Sequence, residues 1–511
     1  MHLNNSTAKN MTENPYRNIA CGKSIPPNNV HAISVSLPTI QDVYSYEENK
    51  NNWRNCMETG YPRFFCHPYE TMLIDHFKTH FSISKEKSLL LFPSKSSCQL
   101  VINFFDLDLE KYELNGIFAL VVDSKNKIYK KICDFIQHTG YKVFSRQLED
   151  LLLNLKLVNN PQKEELFSDQ PEEHVKKELQ KQFQLKDNKN IELFSSGMNA
   201  IYSIFEGINK IQKEKNATIL IQYGWLYSDT INILKKYSES YFEIISVYDE
   251  KELLSIIEAN KGRIAAVFTE IPTNPFLHTP NLAFLYSRLS ELDIPLIVDG
   301  TIGTCVNMNY LPYCDFAVES LTKFASGMAD VMAGCVVTNP DSNWIKNNSI
   351  NLKPYQQKLY VKDLERIAFQ ISGMESRVQS IRKNAYELAQ FFENHPAVKT
   401  VNWSHNEKNK ANYSIIEKEE NNYSGLISIE FDGSIEKFYN ALELPKGPSL
   451  GTEFTLVMPY FYLAHYELVK SEEGRKILSE KNINWELIRI SVGTEPIKEL
   501  INIFEKALDK S

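Results

Sequence analysis

The sequence predicts an α/β fold, with a large domain built on a mainly parallel sheet and a smaller C-terminal α+β domain. Three observations carry this. Short apolar runs recur through the middle of the chain: ATILIQ (217–222), RIAAVFTE (263–270), IPLIVD (294–299) and FAVES (316–320). Runs of this kind suit strands that are covered on both faces. Helical patterns such as NLAFLYSRLSELD (281–293) lie between them, and strand–helix alternation is the signature of a parallel sheet. After about residue 365 the alternation stops and a different order of elements takes over.

Taken in order, residues 1–30 hold few apolar anchors and several Asn and Pro, which predicts a loose or surface-wrapping arm. SLLLF (88–92) and GIFALVVD (116–123) read as strands and KIYKKICDFIQ (127–137) as a helix. The polar, Lys/Gln/Glu-rich stretch 159–189 reads as exposed helix and loop. From Leu364 to His395 the pattern is one long helical stretch. GLISIEF (425–431), SIEKFYNAL (434–442), LIRISVG (487–493) and a closing helix from Pro496 complete the smaller domain, and 404–422 reads as a surface insertion. The organisation is an arm over 1–70, an inserted region over 71–190 packed on the large domain, the large domain over 191–360 and the small domain over 361–511.

With 43% hydrophobic and 23% charged residues, the 511-residue chain has material for a sizeable core. A net charge of −8 speaks against nucleic acid as a partner. The cysteines, at 21, 56, 66, 98, 133, 305, 314 and 335, form no C-x-x-C pair, and no His cluster completes a metal set, so no metal is expected. Scattered thiols fit a reducing compartment. The polar N-terminus lacks a signal or transit pattern, and no apolar run reaches membrane-spanning length. The expectation is a cytoplasmic protein with no membrane contact.

Several residues stand out from this background. Lys323 sits in AVESLTKFASGMADVMAG (317–334), among small, apolar and hydroxyl-bearing neighbours. A loop lysine snorkelling to solvent is one reading. The other is an amine made nucleophilic by partial desolvation, with Ser320 and Thr322 placed for a phosphate. Asp299 ends a strand; it makes a turn, or it faces a heterocyclic nitrogen, as pyridoxal phosphate requires. Gly197 and Met198, in SSGMNA (195–200), open a helix whose free N–H groups suit an anion. Tyr227 packs as an ordinary tyrosine or stacks on a ring. Asn274 forms a turn or reaches a ring hydroxyl. Arg489, within an apolar strand, needs an anion: an internal carboxylate, or that of an amino-acid substrate.

The order of these pieces carries more than any one of them. SGM (196–198), Tyr227, EIPTNP (270–275), VD (298–299), SLTK (320–323) and LIRISVG (487–493) resemble the running order of the Cys/Met-metabolism family of pyridoxal-phosphate enzymes, which have the aspartate-aminotransferase-like fold, fold type I. HAISVSLPT (31–39), GYPRFFCHP (60–68), YGWLYSDT (223–230) and VDGTIGT (298–304) look like its fungal-type cystathionine γ-synthase branch. The resemblance implies Lys323 as Schiff-base lysine and proton shuttle, with Tyr227 as ring stacker and second proton handler. It implies Asp299 at the pyridine nitrogen, Asn274 near the ring hydroxyl, and Gly197, Met198, Ser320 and Thr322 at the phosphate. Tyr61 and Arg63 match a Y-x-R pair that, in the family, reaches the neighbouring subunit's phosphate, which implies a homodimer or homotetramer with shared sites. Arg489, Ser449 and Glu453 match the substrate side.

Four departures accompany the likeness. Arg63 and Ser196 are 133 positions apart, so a long segment is inserted between them. The family's Y-G-G-T appears as YSDT, its S-L-G-G-x-E as SLGTE and its V-D-N-T-F as VDGTI. The implied reaction is cystathionine γ-synthesis from an O-acylhomoserine and cysteine. A cystathionine or methionine lyase, an O-acetylhomoserine sulfhydrylase and a non-catalytic cofactor-binding paralogue are the alternatives.

Overall fold

The computed structural model describes residue 17 and residues 19–511. The expected sheet has seven strands, in the order Ile191–Phe194, Gly334–Thr338, Phe316–Glu319, Leu296–Asp299, Ile264–Glu270, Ile219–Tyr223 and Ser240–Ile244. All run one way except Gly334–Thr338, which is antiparallel to both neighbours. The central strands are buried along their length, hence their apolar runs. Ser240–Ile244 is an edge strand in which only Ile244 is buried, so it lacks such a run. A four-stranded antiparallel sheet, Val398–Asn402, Leu426–Phe431, Ile488–Ser491 and Leu456–Pro459, forms the C-terminal unit.

The long helical stretch is two helices, Val361–Ile371 and Met374–Asn394. The break falls at Ser372–Gly373, and Arg377 staples it. Its Nη2 donates to the carbonyl of Gln370 (3.2 Å), in the last turn of the first helix, and to that of Ala325 (2.6 Å); its Nε donates to that of Phe324 (3.0 Å). Gly327 (φ +74°) lies against this guanidinium, where a Cβ would clash. The stretch 404–422 is less peripheral than its composition predicts. Helix Lys410–Ile416 buries Tyr413 and Ile416, and Asn409 Nδ2 donates to the carbonyl of Trp403 (2.9 Å). The arm is not loose where it is described: Ser24–Ile25 pairs with Ser34–Val35, all four buried. Residues 1–16 and 18, part of the predicted arm, lie outside the described residues.

The stretch 71–190, read from the sequence as inserted, carries its own antiparallel sheet, Ser88–Phe92, Ile117–Val122 and Lys111–Leu114. Buried charge fastens it to the segment beyond Lys323. Arg146 donates to both oxygens of Glu164 (2.9 and 2.6 Å), to Asp363 Oδ1 (2.9 Å) and to the carbonyl of Asp330 (2.8 Å). Arg366 in turn holds Asp330 Oδ2 (2.7 Å). Removing one member of a buried network strands its partners' charge. Arg146→Ala is therefore expected to cost about 3–5 kcal/mol of unfolding free energy in urea titration. Arg146→Lys should recover only part of it, because a single ammonium cannot replace the fork. A loss under about 1 kcal/mol, typical of an exposed ion pair, would contradict this.

Candidate active site

In open α/β sheets ligands bind at the carboxyl ends of the strands. Four adjacent strands deliver the candidates there. Ile219–Tyr223 leads to Tyr227, Ile264–Glu270 to Asn274, Leu296–Asp299 ends on Asp299, and Phe316–Glu319 leads to Ser320, Thr322 and Lys323.

Lys323 does not snorkel. Its Nζ bonds to Ser449 Oγ (3.1 Å) and Tyr61 Oη (3.3 Å), and it lies 4.7 Å from the centre of the Tyr61 ring. Burial pushes its ammonium below the ordinary value, with Tyr61 opposing. On Tyr61 burial acts upward, but Lys323 and Arg63 outweigh it and leave the phenol below its usual range. Tyr227 goes the other way: burial carries it well above that range, although Arg63 Nη2 donates to its oxygen at 2.7 Å. Of the two phenols, Tyr61 is the one that bonds the lysine.

Ser449 holds two groups at once. Its hydroxyl meets Lys323, and its carbonyl accepts from Arg489 Nη2. Its φ of +91° is strained for a non-glycine residue, a cost of about 1–3 kcal/mol that accumulates at functional sites. Arg489 is only 4% exposed, lies 5.6 Å from the centre of the Tyr460 ring and makes no ion pair among the described residues. Burial lowers it to about 10. The internal salt bridge that would have explained this arginine is absent among those residues.

Asp299 Oδ1 accepts from the amide of Thr301 (2.9 Å), and burial raises its carboxyl. Beside it in register stands Glu270, raised well above the carboxylate range by burial and by Asp299, and accepting from the amide of Tyr227. Helix Gly197–Glu214 begins behind the cap Ser196, whose Oγ accepts from the amide of Asn199 (3.1 Å). The amides of Gly197 and Met198 fall in the first helical turn, where no carbonyl of the helix can accept from them. A Cβ on Gly197 would sit 3.0 Å from Ser320 Cβ, so only glycine leaves a cradle there.

Two candidates are engaged elsewhere. Thr322 Oγ1 donates to the carbonyl of Ala333 (3.2 Å) and accepts its amide (3.0 Å), bracing the neighbouring chain. The Glu453 side chain is 46% exposed and accepts from Arg377 Nη1 (2.9 Å), with no bond to Lys323, Ser449 or Arg489. Sequence reading missed Tyr460, whose hydroxyl donates to the carbonyl of Asn274 (3.1 Å) while its ring underlies Arg489. It also missed the part of Asp229, 1% exposed and paired with Arg63. The glycine-to-aspartate change in YSDT was the signal for Asp229; nothing in FTLVMPYFY marked Tyr460.

Four buried polar atoms of this cluster have no partner among the described residues: Asn274 Oδ1, Ser195 Oγ, Arg63 Nε and Arg489 Nε. An acceptor for a ring hydroxyl, donors for anions and an uncompensated carboxylate at Asp299 fit pyridoxal phosphate and an amino-acid carboxylate.

Comparison with known proteins agrees. The model of the family described as Cys/Met metabolism PLP-dependent enzyme matches residues 169–509. An L-2-amino-4-chloropent-4-enoate dechlorinase/desaturase from Streptantibioticus cattleyicolor is 30% identical, over 94% of this chain and 97% of its own. A cystathionine γ-synthase from Neurospora crassa is 28% identical, over 95% and 97%. Among solved structures, cystathionine γ-synthase from Xanthomonas oryzae pv. oryzae in complex with cystathionine superposes with a TM-score of 0.57 at 19% identity, over 69% of this chain and 89% of that one. The expected fold type I and its cofactor, pyridoxal 5′-phosphate, hold. Among the described residues no helix is long and apolar enough to cross a membrane. With the family model spanning most of its length and a full-length relative at 30% identity, the chain belongs to the Cys/Met metabolism family of pyridoxal phosphate-dependent enzymes.

Proposed function

We propose that the chain catalyses γ-replacement as a cystathionine γ-synthase, joining an O-acylhomoserine to L-cysteine with loss of the carboxylate. One observation supports it above others: Ser449 bonds both the Lys323 amine and the unpaired Arg489 guanidinium. An α-amino acid needs just that pairing, an amine-reactive centre beside a carboxylate clamp. The γ-carbon comes from the relatives. The names of the two sequence relatives place the changed bond there, as chlorine on C4 or as γ-synthesis.

Pyridoxal phosphate, when bound, supplies an aldehyde for amines and a ring that accepts the electrons released at the α-carbon. Gly197, Met198, Ser320 and Arg63 would hold its phosphate, Asn274 its ring hydroxyl, and Asp299 the proton on its ring nitrogen. Arg489 clamps the substrate carboxylate. The Lys323 amine, once free, takes the α-proton; its lowered basicity keeps a larger neutral fraction near pH 7. Tyr61 Oη, 3.3 Å away, relays the proton to and from that amine. The eight unpaired cysteines support a cytoplasmic setting.

A second reading is elimination without replacement. It is favoured by the 30% identity to a dechlorinase/desaturase. The test is a product assay by mass spectrometry on the holoenzyme, given O-acetyl- or O-succinylhomoserine with and without cysteine, and L-2-amino-4-chloropent-4-enoate. Cystathionine formed only with cysteine is the expected result and names the donor. Keto acid and ammonia without cystathionine, or chloride release alone, would replace the synthase reading with elimination.

A further inference from the structure

We infer that each chain completes its own active site: Tyr61 and Arg63 serve the Lys323 of the chain that carries them, and Asp229 and the inserted region hold them there. The inference rests on the cofactor and not on which γ-reaction follows.

The contacts are direct and within one chain. Tyr61 Oη is 3.3 Å from Lys323 Nζ. Arg63 reaches Tyr227 Oη at 2.7 Å, and its rear is fixed by the carbonyl of Gln137 (2.7 Å) and by Asp229. Gln137 belongs to the inserted region, and its Nε2 donates to the other oxygen of Asp229 (3.2 Å). Arg63 is thus braced by a carboxylate that the resembled Y-G-G-T pattern lacks, and by a segment that lies outside the matched family region, 169–509. With Nη1 and Nη2 so held, the buried Nε is left without a partner among the described residues, as an anion site requires. Both charges of the Arg63–Asp229 pair are about 1% exposed, so pulling Arg63 out to serve a neighbour would strand Asp229 in the interior.

The chain path is consistent with this. The arm is stitched to the segments that carry the other site residues. The amide of Ile33 donates to the carbonyl of Ala329 (2.8 Å), beyond Lys323, and Ser34 Oγ to that of Pro448 (2.6 Å), next to Ser449. The inserted region then returns the chain to the phosphate cradle. Asn199 Nδ2 donates to the carbonyl of Thr139 (3.2 Å), and Gly140 packs on Ser196 where a Cβ would clash. The insertion is the length of chain that runs from Arg63 past Gln137, which braces it, to Thr139 and Gly140 at the helix start within one molecule.

The experiment mixes defects. Lys323→Ala and Arg63→Ala chains carrying different tags are co-expressed, and doubly tagged hybrids are isolated. Cofactor held at Lys323 is fixed with borohydride at limiting pyridoxal phosphate and located by intact mass. Alone, Arg63→Ala should bind cofactor roughly tenfold to a hundredfold more weakly, the effect of losing a charged hydrogen bond. The expected result is that its Lys323 stays as weakly loaded in the hybrid. Recovery to wild-type loading, with Arg63 supplied by the Lys323→Ala chain, would overturn the proposal, as would unchanged loading of Arg63→Ala itself. If no hybrid forms, a monomeric wild-type chain that loads fully supports it and one that does not overturns it. Should Arg63→Ala fail to fold, Asp229→Gly, which keeps Arg63 but removes its brace, replaces it. It is expected to load weakly in the same way, and normal loading would overturn the role of Asp229.

Discussion

Replacing Lys323 by alanine should lower turnover at least about a thousandfold, since the variant loses the amine proposed both to bond the cofactor and to act as base at the α-carbon. The fold should survive, because Lys323 makes no ion pair among the described residues; its partners there are two hydroxyls. Cofactor should still bind through Asp299, Asn274 and the helix at Gly197, but without the lysine bond, so that borohydride leaves no mass on the chain. A Lys323→Ala protein with normal turnover would remove the assignment. The companion variant Tyr61→Phe tests how the amine is tuned. Tyr61 raises the basicity of Lys323 against burial, Arg489 and Arg63. Deleting the hydroxyl should therefore lower that basicity further. The amine must be neutral to capture the cofactor aldehyde, so the pH profile of capture by the apoprotein should move to lower pH. A profile that stays in place would mean that the phenol only packs.

How far this was visible in the sequence depends on what each residue borrows from its neighbours in the chain. Strands buried on both faces announce themselves as apolar runs, so four of the seven in the large sheet were readable. Ser240–Ile244 was not, because an edge strand is only half-covered: Ile244 alone is buried and Glu243 is exposed, which breaks the apolar run. The helix break at Ser372–Gly373 depends on an arginine that answers carbonyls some fifty positions away, at Phe324 and Ala325. In the site, Lys323, Asp299 and Asn274 were legible because each ends or follows a readable strand, and the Gly197 helix because SSGMNA opens a clear helical pattern. Tyr61 and Arg63 were reached through resemblance alone, and the resemblance sent them to another subunit. Only the fold shows them 262 and 166 positions from their partners in the same chain. Glu453 illustrates the converse. Its motif placed it with the substrate, yet the backbone turns it onto Arg377.

Replacing Arg489 by leucine should make the enzyme much less active and the apoprotein more stable. The guanidinium is buried against Tyr460 and the carbonyl of Ser449 with no carboxylate partner among the described residues, and burial has already lowered it to about 10. Without substrate, that desolvation is not offset by any protein anion, and an apolar side chain of similar reach removes it. In the proposed reaction the substrate carboxylate offsets it, so kcat/KM should fall about 10²–10³-fold, or about 3–4 kcal/mol of transition-state binding. Arg489→Lys should restore a minor part, because one ammonium cannot grip a carboxylate along two bonds. The amine at Lys323 reports the same change from the other side. Arg489 lowers its basicity, so the leucine variant should show cofactor capture moving to higher pH, opposite to Tyr61→Phe. Thermal unfolding of the apoprotein, steady-state kinetics and the pH profile together separate this from a packing defect, which would lower stability and leave the profile unmoved. A destabilised Arg489→Leu with unchanged KM would mean that the arginine is structural and that the substrate carboxylate is held elsewhere.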